Sequence, residues 1–334
     1  MVEIASPVRE LAAAHGETLA EGMETFVDAL TRGYEEHADA DFGIPAERRR
    51  VASLVRAPWT RGGPVMHRSI NRIVPTAAGR IPIRVHLPTD ETALPALLYI
   101  HGGGWVMFDL DTHDRLMREY AARTGCAVVG IDYSLAPEAV FPRPILEISA
   151  ITRALARGRL DLPVDPGRLI LGGDSAGANL AVATALTLRD AGMGEALAGL
   201  LLNYGAFDPR CDSASYSRFG DGRYLLSAEE MHGFWAAYAG DPELLDDPLL
   251  APVEADLAGL PSTLLCATEY DVLADDSERL YRGLQQAGVN ADLRRYAGTV
   301  HSFLEAVSVA PVAETALDDA AAWMRHIFKS NRRS

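Results

Sequence analysis

Residues 168–177 are RLILGGDSAG, an apolar run that ends in the motif Gly173-Asp174-Ser175-Ala176-Gly177. The run is typical of a buried strand, and residues 179–183 after the motif are typical of a helix. A nucleophilic serine must project from a strained turn between a strand and a helix, and flanking glycines let neighbouring backbone come close. The positive end of the helix dipole also favours developing negative charge. The sequence therefore predicts that Ser175 is a nucleophile rather than part of an ordinary turn.

A second glycine motif, His101-Gly102-Gly103-Gly104-Trp105, directly follows the apolar run 96–100. Consecutive glycines expose backbone N–H groups and let a substrate oxygen approach without a Cβ in the way. The N–H groups of Gly103, Gly104 and Ala176 would then form an oxyanion hole. Glycine-rich loops also cradle phosphate, but this one has no Gly-Lys-Ser/Thr ending and no G-x-G-x-x-G opening a helix. Because His101 precedes the nucleophile, we expect it to hold the loop in shape and not to act as the base.

Strand signals and helix signals alternate along most of the chain. Short apolar runs occur at 96–100, 126–131, 169–171, 200–202 and 263–267, and a strand with alternating apolar residues is predicted over 81–87. Helix-length segments lie around 112–124, 142–157, 176–190, 275–287 and 312–328. Such alternation predicts an α/β fold with a mainly parallel sheet and right-handed crossovers.

Two segments stand outside this alternation. Near the N-terminus, apolar residues recur at helical spacing from Leu19 to Tyr34, and breaks follow around Gly43 and Gly62. Almost 60 residues between Tyr204 and Thr263 carry no apolar strand signal, apart from a helical stretch over 227–238. We expect N-terminal cap helices over 1–60, a cap insertion over 207–245, and a catalytic core made of 61–206 and 246–334.

Composition and charge narrow the class of protein. The chain has 334 residues and a formal net charge of −15, which argues against a nucleic-acid partner because phosphate binding needs a basic surface. Its three cysteines form neither a disulfide framework nor a Cys-x-x-Cys zinc pair. The N-terminus lacks the features of a signal peptide, and no apolar run of about 18 residues could span a membrane. The expected location is the cytoplasm.

The motifs together resemble those of the hormone-sensitive lipase family of α/β-hydrolases. The resemblance rests on the glycine motif at 101–104, YSLAPE at 133–138, the serine motif at 173–177 and EYD at 269–271. DTHDR at 111–115 and TVHSFL at 299–304 are most similar to the bacterial acetyl esterases of that family. The chain departs from the family at Val272, where proline is usual, and at Ser302, where glycine often follows the histidine. The resemblance implies an α/β-hydrolase fold, a mostly parallel eight-stranded sheet flanked by helices, with a helical cap.

The chain order of α/β-hydrolases, nucleophile then acid then histidine, limits the other catalytic residues. Of the histidines after Ser175, His301 follows a predicted strand over 292–296 and lies on a loop, where open α/β sheets place their sites. His232 and His326 lie on predicted helices. Asp271 follows the strand 263–267 and is the expected acid, with Glu269 as the alternative. Asp275 and Asp276 are expected to start the next helix, where carboxylates suit the positive dipole end.

These residues predict a serine carboxylic-ester hydrolase that acts on short acyl, acetyl-like esters through an acyl-enzyme. An amidase, deacetylase or lactonase could use the same triad, and an inactive receptor on this fold is disfavoured because His301 is present. No metal or organic cofactor is required. The expected partner is a small-molecule ester, with a possible homodimer. The proposed pocket walls, for which core packing is the competing interpretation, include Trp105, Phe108, Tyr204 and Phe207.

Overall fold

A computed structural model describes residues 6–331 of the chain. The cap and core segments that were expected to begin at residue 1 and end at residue 334 therefore extend beyond the described part. The prediction that no signal peptide is present also rests partly on residues 1–5, which lie outside it. Within residues 6–331 the structure has one sheet of eight strands. The strands are β1 Arg68–Thr76, β2 Gly79–Leu87, β3 Leu94–Ile100, β4 Ala127–Ile131, β5 Val164–Asp174, β6 Gly199–Asn203, β7 Ser262–Tyr270 and β8 Ala291–Val300.

The strand order across the sheet is β1-β2-β4-β3-β5-β6-β7-β8. Strands β4, β3, β5, β6, β7 and β8 run parallel to one another, whereas β1 pairs antiparallel with β2 and β2 antiparallel with β4. The predicted mostly parallel sheet is thus confirmed. The strands β3, β4 and β6 are buried almost throughout, because helices cover both faces of a sheet built from crossovers.

Ten α-helices accompany the sheet within the described residues. They are α1 Pro7–Ala14, α2 Met23–Glu35, α3 Pro45–Arg56, α4 Asp114–Thr124, α5 Arg143–Ala156, α6 Ala176–Asp190, α7 Ala214–Phe219, α8 Ala228–Ala239, α9 Ala274–Gln286 and α10 Pro311–Ser330. The predicted helices over 112–124, 142–157, 176–190, 275–287 and 312–328 correspond to α4, α5, α6, α9 and α10 and are confirmed. Helix α6 follows the serine motif directly and is buried along most of its length between the sheet and its neighbours.

The N-terminal helix face predicted between Leu19 and Tyr34 belongs to α2, which begins only at Met23. Its apolar residues Met23, Phe26, Val27 and Leu30 are buried. They pack near α3, the edge strand β8 and the 3-10 helix Phe303–Ser308. The predicted apolar helix face therefore packs on the core, beside β8 and the 3-10 helix.

The predicted helix over 227–238 is α8, and Ser227 caps it as part of a capping box with Glu230. The preceding residues of the insertion form α7 and irregular loops. In the described part of the chain, no helix combines the length and apolar character needed to cross a bilayer.

Candidate active site

The serine motif forms a sharp turn between β5, which ends at Asp174, and α6, which begins at Ala176. Ser175 has φ 55° and ψ −121°, a conformation that L-residues rarely adopt. A Cβ added at Gly173 would lie 2.4 Å from the carbonyl oxygen of Ile100, and one at Gly177 would lie 2.0 Å from it. Both flanking glycines are therefore required by the close approach of β3 to the turn.

Ser175, His301 and Asp271 form a continuous hydrogen-bonded line. His301 Nε2 lies 3.0 Å from Ser175 Oγ, and His301 Nδ1 lies 2.7 Å from Asp271 Oδ2. His301 follows the end of β8 and Asp271 follows the end of β7, so both lie at the carboxyl edge of the sheet. All three residues are buried. This arrangement lets the imidazole take a proton from the serine hydroxyl while the carboxylate accepts from the opposite ring nitrogen.

Asp271 is held by two further donors. Thr268 Oγ1 donates to Oδ2 at 2.7 Å, and the backbone N–H of Leu273 donates to Oδ1 at 2.9 Å. Since an ionised carboxylate only accepts hydrogen bonds, these contacts fix its rotation and direct Oδ2 towards the imidazole. Ser302, the residue after His301, has φ 64° and ψ 14°. This left-handed conformation explains why glycine would suit the position, and Ser302 adopts it nonetheless.

The glycine loop lies beside the serine turn. Gly103 and Gly104 have φ of 110° and 58°, values that favour glycine. The carbonyl oxygen of Gly103 accepts from the N–H groups of Val106 and Met107 at 3.1 and 2.9 Å, which closes the loop on itself. Among residues 6–331, none accepts a hydrogen bond from the N–H groups of Gly103, Gly104 or Ala176. These three residues border the same cavity as Ser175.

Asp174 connects the glycine loop to the serine turn. Its Oδ1 accepts from Tyr99 Oη at 2.8 Å and from the N–H of Gly102 at 3.2 Å, and its Oδ2 lies 3.3 Å from Nε2 of His113. Burial alone would raise the pKa of Asp174, but His113 and Tyr99 bring it below its usual value. Burial alone would lower the pKa of His113, but the Asp174 carboxylate outweighs this and raises it. The two side chains therefore form a buried ion pair beside the glycine loop.

His101 does not contact the serine. Its Nδ1–H donates to the carbonyl oxygen of Gly102 at 2.8 Å, and its ring stacks on Tyr133 with centroids 4.4 Å apart. Burial, together with the charge of His113, lowers the pKa of His101 to about 4, so its ring is neutral near neutral pH. The structure thus places His101 in support of the glycine loop, as the sequence predicted.

The cavity above Ser175 has a volume of about 760 Å³. Two of the predicted wall residues, Trp105 and Phe108, border it. The Trp105 ring stacks on Tyr238 at 4.7 Å and packs on Trp235 at 4.3 Å, so it is anchored by α8. Tyr204 and Phe207 are not among the residues that line the cavity.

The interpretation of Tyr204 and Phe207 as substrate contacts is therefore corrected. The Tyr204 ring packs edge-on against His301 at 5.2 Å and supports the imidazole from behind. Phe207 is fully buried, and its ring covers Gly205, where a Cβ would lie 2.1 Å away. Its backbone N–H is anchored to Asp276 at 2.8 Å. For both residues core packing, the competing interpretation, describes the structure.

The alternative acids and bases lie elsewhere. Glu269 accepts from the N–H of Gly298 at 2.7 Å, which shapes the loop before His301. Asp275 and Asp276 lie in the first turn of α9 as predicted, and both accept from backbone N–H groups of the insertion. His232 on α8 and His326 on α10 are exposed on the protein surface.

Several cavity residues were not found from the sequence. Tyr34 of α2, Arg56 at the end of α3, and Leu225 and Leu226 of the insertion all border the cavity. Arg56 forms a buried ion pair with Glu305 at 3.0 Å. The only sequence signal for this pair is that Arg56 continues the buried helix face of Val51, Ala52 and Val55. A charged residue at that position looks like an ordinary surface residue.

The fold and this constellation define an α/β-hydrolase with a serine at the nucleophile turn. A family model described as alpha/beta hydrolase fold matches residues 97–305, more than half of the chain. The chain belongs to this α/β-hydrolase family, in the branch related to hormone-sensitive lipase.

Solved structures support the same placement. An esterase from Pyrobaculum calidifontis is 32% identical, with a TM-score of 0.81 over 88% of this chain and 96% of its own. A thermostable carboxylesterase cloned from a metagenomic library is 33% identical, with a TM-score of 0.82 over 85% and 98%. An ester-hydrolase from the metagenome of Lake Arreo, solved with a derivative of bipyridine phosphonate, is 31% identical, with a TM-score of 0.86 over 93% and 99%.

Proposed function

We propose that this protein is a serine carboxylic-ester hydrolase that acts on short-chain, acetyl-like acyl esters. The observation that carries the proposal is the line from Ser175 Oγ through His301 to Asp271, with separations of 3.0 and 2.7 Å. The esterase activity named for the similar structures supports it. An inactive receptor on this scaffold is disfavoured, because such a receptor has no need of a base in register with the serine.

The proposed reaction begins when His301 Nε2 takes the proton of Ser175 as Oγ attacks the acyl carbonyl. Asp271 holds the imidazole in the tautomer with a proton on Nδ1 and stabilises the imidazolium that forms. The alcohol then leaves with the proton from His301, and an acyl-serine remains. Water, deprotonated by His301, attacks this acyl group and releases the acid and the free serine. Every proton in the cycle thus passes through one imidazole.

The N–H groups of Gly103, Gly104 and Ala176 are proposed to hold the oxyanion. Because they have no acceptor among the described residues, they are free to bind a substrate oxygen. Donors of this kind contribute about 3–4 kcal/mol each to the stabilisation of the transition state in comparable sites. The helix dipole of α6, whose first residue is Ala176, adds to this effect.

The proposed preference for short acyl chains rests on Phe234. Its ring lies so close to Gly104 that a Cβ there would be 2.5 Å from the ring carbons. The aromatic side chain therefore restricts the space directly beside the proposed oxyanion hole. The larger volume of the whole cavity leaves room for the leaving alcohol on another side.

The test is a kinetic comparison of wild type, Ser175→Ala and Ser308→Ala on 4-nitrophenyl esters of increasing acyl length. Ser308 is exposed at the end of the 3-10 helix after His301, so its variant controls for loss of a serine hydroxyl. We expect kcat/KM to be highest for short acyl chains and to fall at least about a thousandfold in Ser175→Ala only. Anilide and lactone substrates run alongside would reveal an amidase or lactonase. Turnover that survives in folded Ser175→Ala would refute the proposal.

The possible homodimer and the cytoplasmic location stay predictions of the sequence.

A further inference from the structure

The cavity above Ser175 has two chemically different walls. The glycine loop and α8 contribute the apolar residues Trp105, Met107, Phe108, Met231 and Phe234, and α8 also contributes Glu229 and Glu230. The lining residues that come from α2 and α3, here called the polar wall, are Thr31, Tyr34, Glu35, Arg48 and Arg56. A plain alkyl ester offers these polar groups no additional hydrogen-bond acceptor, and burying polar groups without a partner is unfavourable.

Arg56 is the most deeply placed group of the polar wall. It is only 7% exposed, and its Nη1 donates to Glu305 at 3.0 Å. Its guanidinium lies 5.1 Å from the centre of the Phe108 ring, which in turn contacts the glycine loop. The Nε–H of Arg56 is buried and has no acceptor among residues 6–331. The guanidinium is thus held at the cavity with hydrogen-bonding capacity that the described chain does not use.

Two further observations define what could bind there. Burial alone would lower the pKa of Arg56, but Glu305 and Tyr34 outweigh this, so the guanidinium stays charged. Burial raises the pKa of Tyr34, so its hydroxyl stays neutral and able to donate. A guanidinium has five N–H donors and no acceptor, so its partner must be an acceptor oxygen or nitrogen.

The charges around the cavity indicate a neutral acceptor. The charge of Arg56 is already balanced by Glu305. The carboxylates of Glu35, Glu229 and Glu230 border the cavity with Arg48 as the other cation, and Asp174 is paired with His113. A carboxylate on the substrate would therefore meet an acidic surround, whereas an ether, hydroxyl or carbonyl oxygen would not.

We propose that Arg56 and Tyr34 form a specificity site for esters that carry a neutral acceptor oxygen a few bonds from the scissile carbonyl. This inference rests on the proposed function, because it assigns the substrate class of the same site. A pair that served only to fasten α3 to the His301 loop would leave the choice of substrate unchanged. A site that binds a substrate oxygen discriminates against the analogue that lacks it.

The experiment uses two isosteric pairs of esters that differ by oxygen in place of a methylene. The acyl pair is 4-nitrophenyl 3-methoxypropanoate and 4-nitrophenyl pentanoate, and the alcohol pair is 2-methoxyethyl acetate and butyl acetate, followed by pH-stat. The ratio of kcat/KM within each pair is compared between variants, which cancels the intrinsic reactivity of the esters. A changed ratio in the acyl pair would place the recognised oxygen on the acyl side of the ester, and a changed ratio in the alcohol pair would place it on the alcohol side.

The variant is Arg56→Met/Glu305→Gln, since removing one member of a buried pair alone would strand the other charge. Its control is Arg50→Met/Glu47→Gln, which removes a 2.8 Å ion pair from the exposed face of the same helix. Tyr34→Phe, which leaves the buried pair in place, decides the question if the double variant does not fold. We expect the preference for the oxygen-containing ester to fall at least about fivefold in the Arg56 double variant, less in Tyr34→Phe, and not in the control.

An unchanged kcat/KM ratio for both pairs in the folded variants would overturn this inference. The proposed function would still stand if turnover of the plain esters depended on Ser175. A wild-type protein without Ser175-dependent turnover of any ester would refute both together. A fall of the same size in the Arg50 control would also overturn the assignment, because it would show a general effect of α3.

Discussion

Replacing Asp174 with asparagine tests how the glycine loop is held beside Ser175. The substitution keeps the size of the side chain and one acceptor oxygen but removes the charge. In the wild type this carboxylate joins Tyr99 Oη, the N–H of Gly102 and Nε2 of His113. In the variant, the amide oxygen can still serve Tyr99 and Gly102, and the amide nitrogen can donate to a neutral His113. The geometry of the loop is therefore weakened rather than destroyed.

The expected magnitude follows from the type of hydrogen bond that is lost. Bonds to a charged acceptor contribute about 1.5–3 kcal/mol, against about 0.5–1.5 kcal/mol for neutral ones. Weakening the bonds to Tyr99 and Gly102 and losing the His113 ion pair should cost about 2–3 kcal/mol of stability. Complete loss of one oxyanion donor reduces kcat by about a hundredfold to a thousandfold. A loosened Gly102 should stay below that limit, so we expect kcat to fall about tenfold to a hundredfold, with KM little changed.

The difference in stability should depend on pH in a defined direction. The pKa of His113 is raised in the fold, so its contribution is complete below the unfolded value of about 6.5 and is lost as pH rises through the raised value. The pKa of Asp174 is lowered, so its contribution is present above about 3.9 and is lost as pH falls through the lowered value. The melting temperatures of wild type and Asp174→Asn should therefore differ most between these limits. In alkaline solution the difference should shrink to the part that comes from the bonds to Tyr99 and Gly102.

The assay is kcat and KM on 4-nitrophenyl acetate together with melting temperature across pH. Asp165→Asn is the matched control, because Asp165 lies at the start of the same strand and forms a 2.6 Å ion pair with Arg168 at the protein surface. Wild-type kcat in Asp174→Asn would refute the positioning role. A difference in melting temperature that grows steadily with pH would refute the ion pair with His113.

Two further predictions concern the cavity and the thiols. Gly104→Ala should lower kcat/KM for acetyl esters at least about a hundredfold, because the added Cβ would lie 2.5 Å from the Phe234 ring. Adding Phe234→Ala should restore part of the loss. No recovery in the double variant would show that backbone strain at φ 58° dominates. The three cysteines should resist a thiol reagent at pH 8 in the folded protein and react fully in denaturant, because all three are buried. Burial raises the pKa of Cys126 to about 11, that of Cys211 to about 12, and that of Cys266 well above its usual value. Rapid labelling of the native protein would contradict this burial.

The features that could be predicted from the sequence are those whose chemistry leaves few residue choices. The backbone at Gly177 passes too close to Ile100 for any side chain, and Gly103 and Gly104 adopt positive φ. Such positions leave a glycine pattern in the chain. The parallel strands were predictable for a similar reason, since a strand buried on both faces must be a continuous apolar run.

The features that could not be predicted depend on contacts between distant parts of the chain. Strand β1 is exposed over most of its length, so it has no apolar run to reveal it. Arg56 and Glu305 are 249 residues apart and become a buried pair only once α3 lies on the loop after His301. Phe207 was named as a candidate pocket wall, yet backbone bonds to Asp276 hold the chain so that its ring is buried in the core. Hydrophobicity alone does not distinguish a pocket wall from a core residue.

The strained conformation of Ser175 is held by the strands on either side of it. A residue held at φ 55° costs about 1–3 kcal/mol, and it persists only where the surroundings determine it. The N–H of Ser175 donates to the carbonyl oxygen of Asn203 at 2.9 Å, and its own carbonyl oxygen accepts from Ala206 at 3.4 Å. Asn203 ends β6 and is itself bound through its side chain to Tyr120 Oη at 3.0 Å. The neighbouring strand β6 therefore holds the turn from one side, while β3 and its glycine loop approach from the other. Because both neighbours are parallel strands that end at the same edge, Ser175 lies at the carboxyl edge of the sheet, where His301 Nε2 is 3.0 Å from its Oγ.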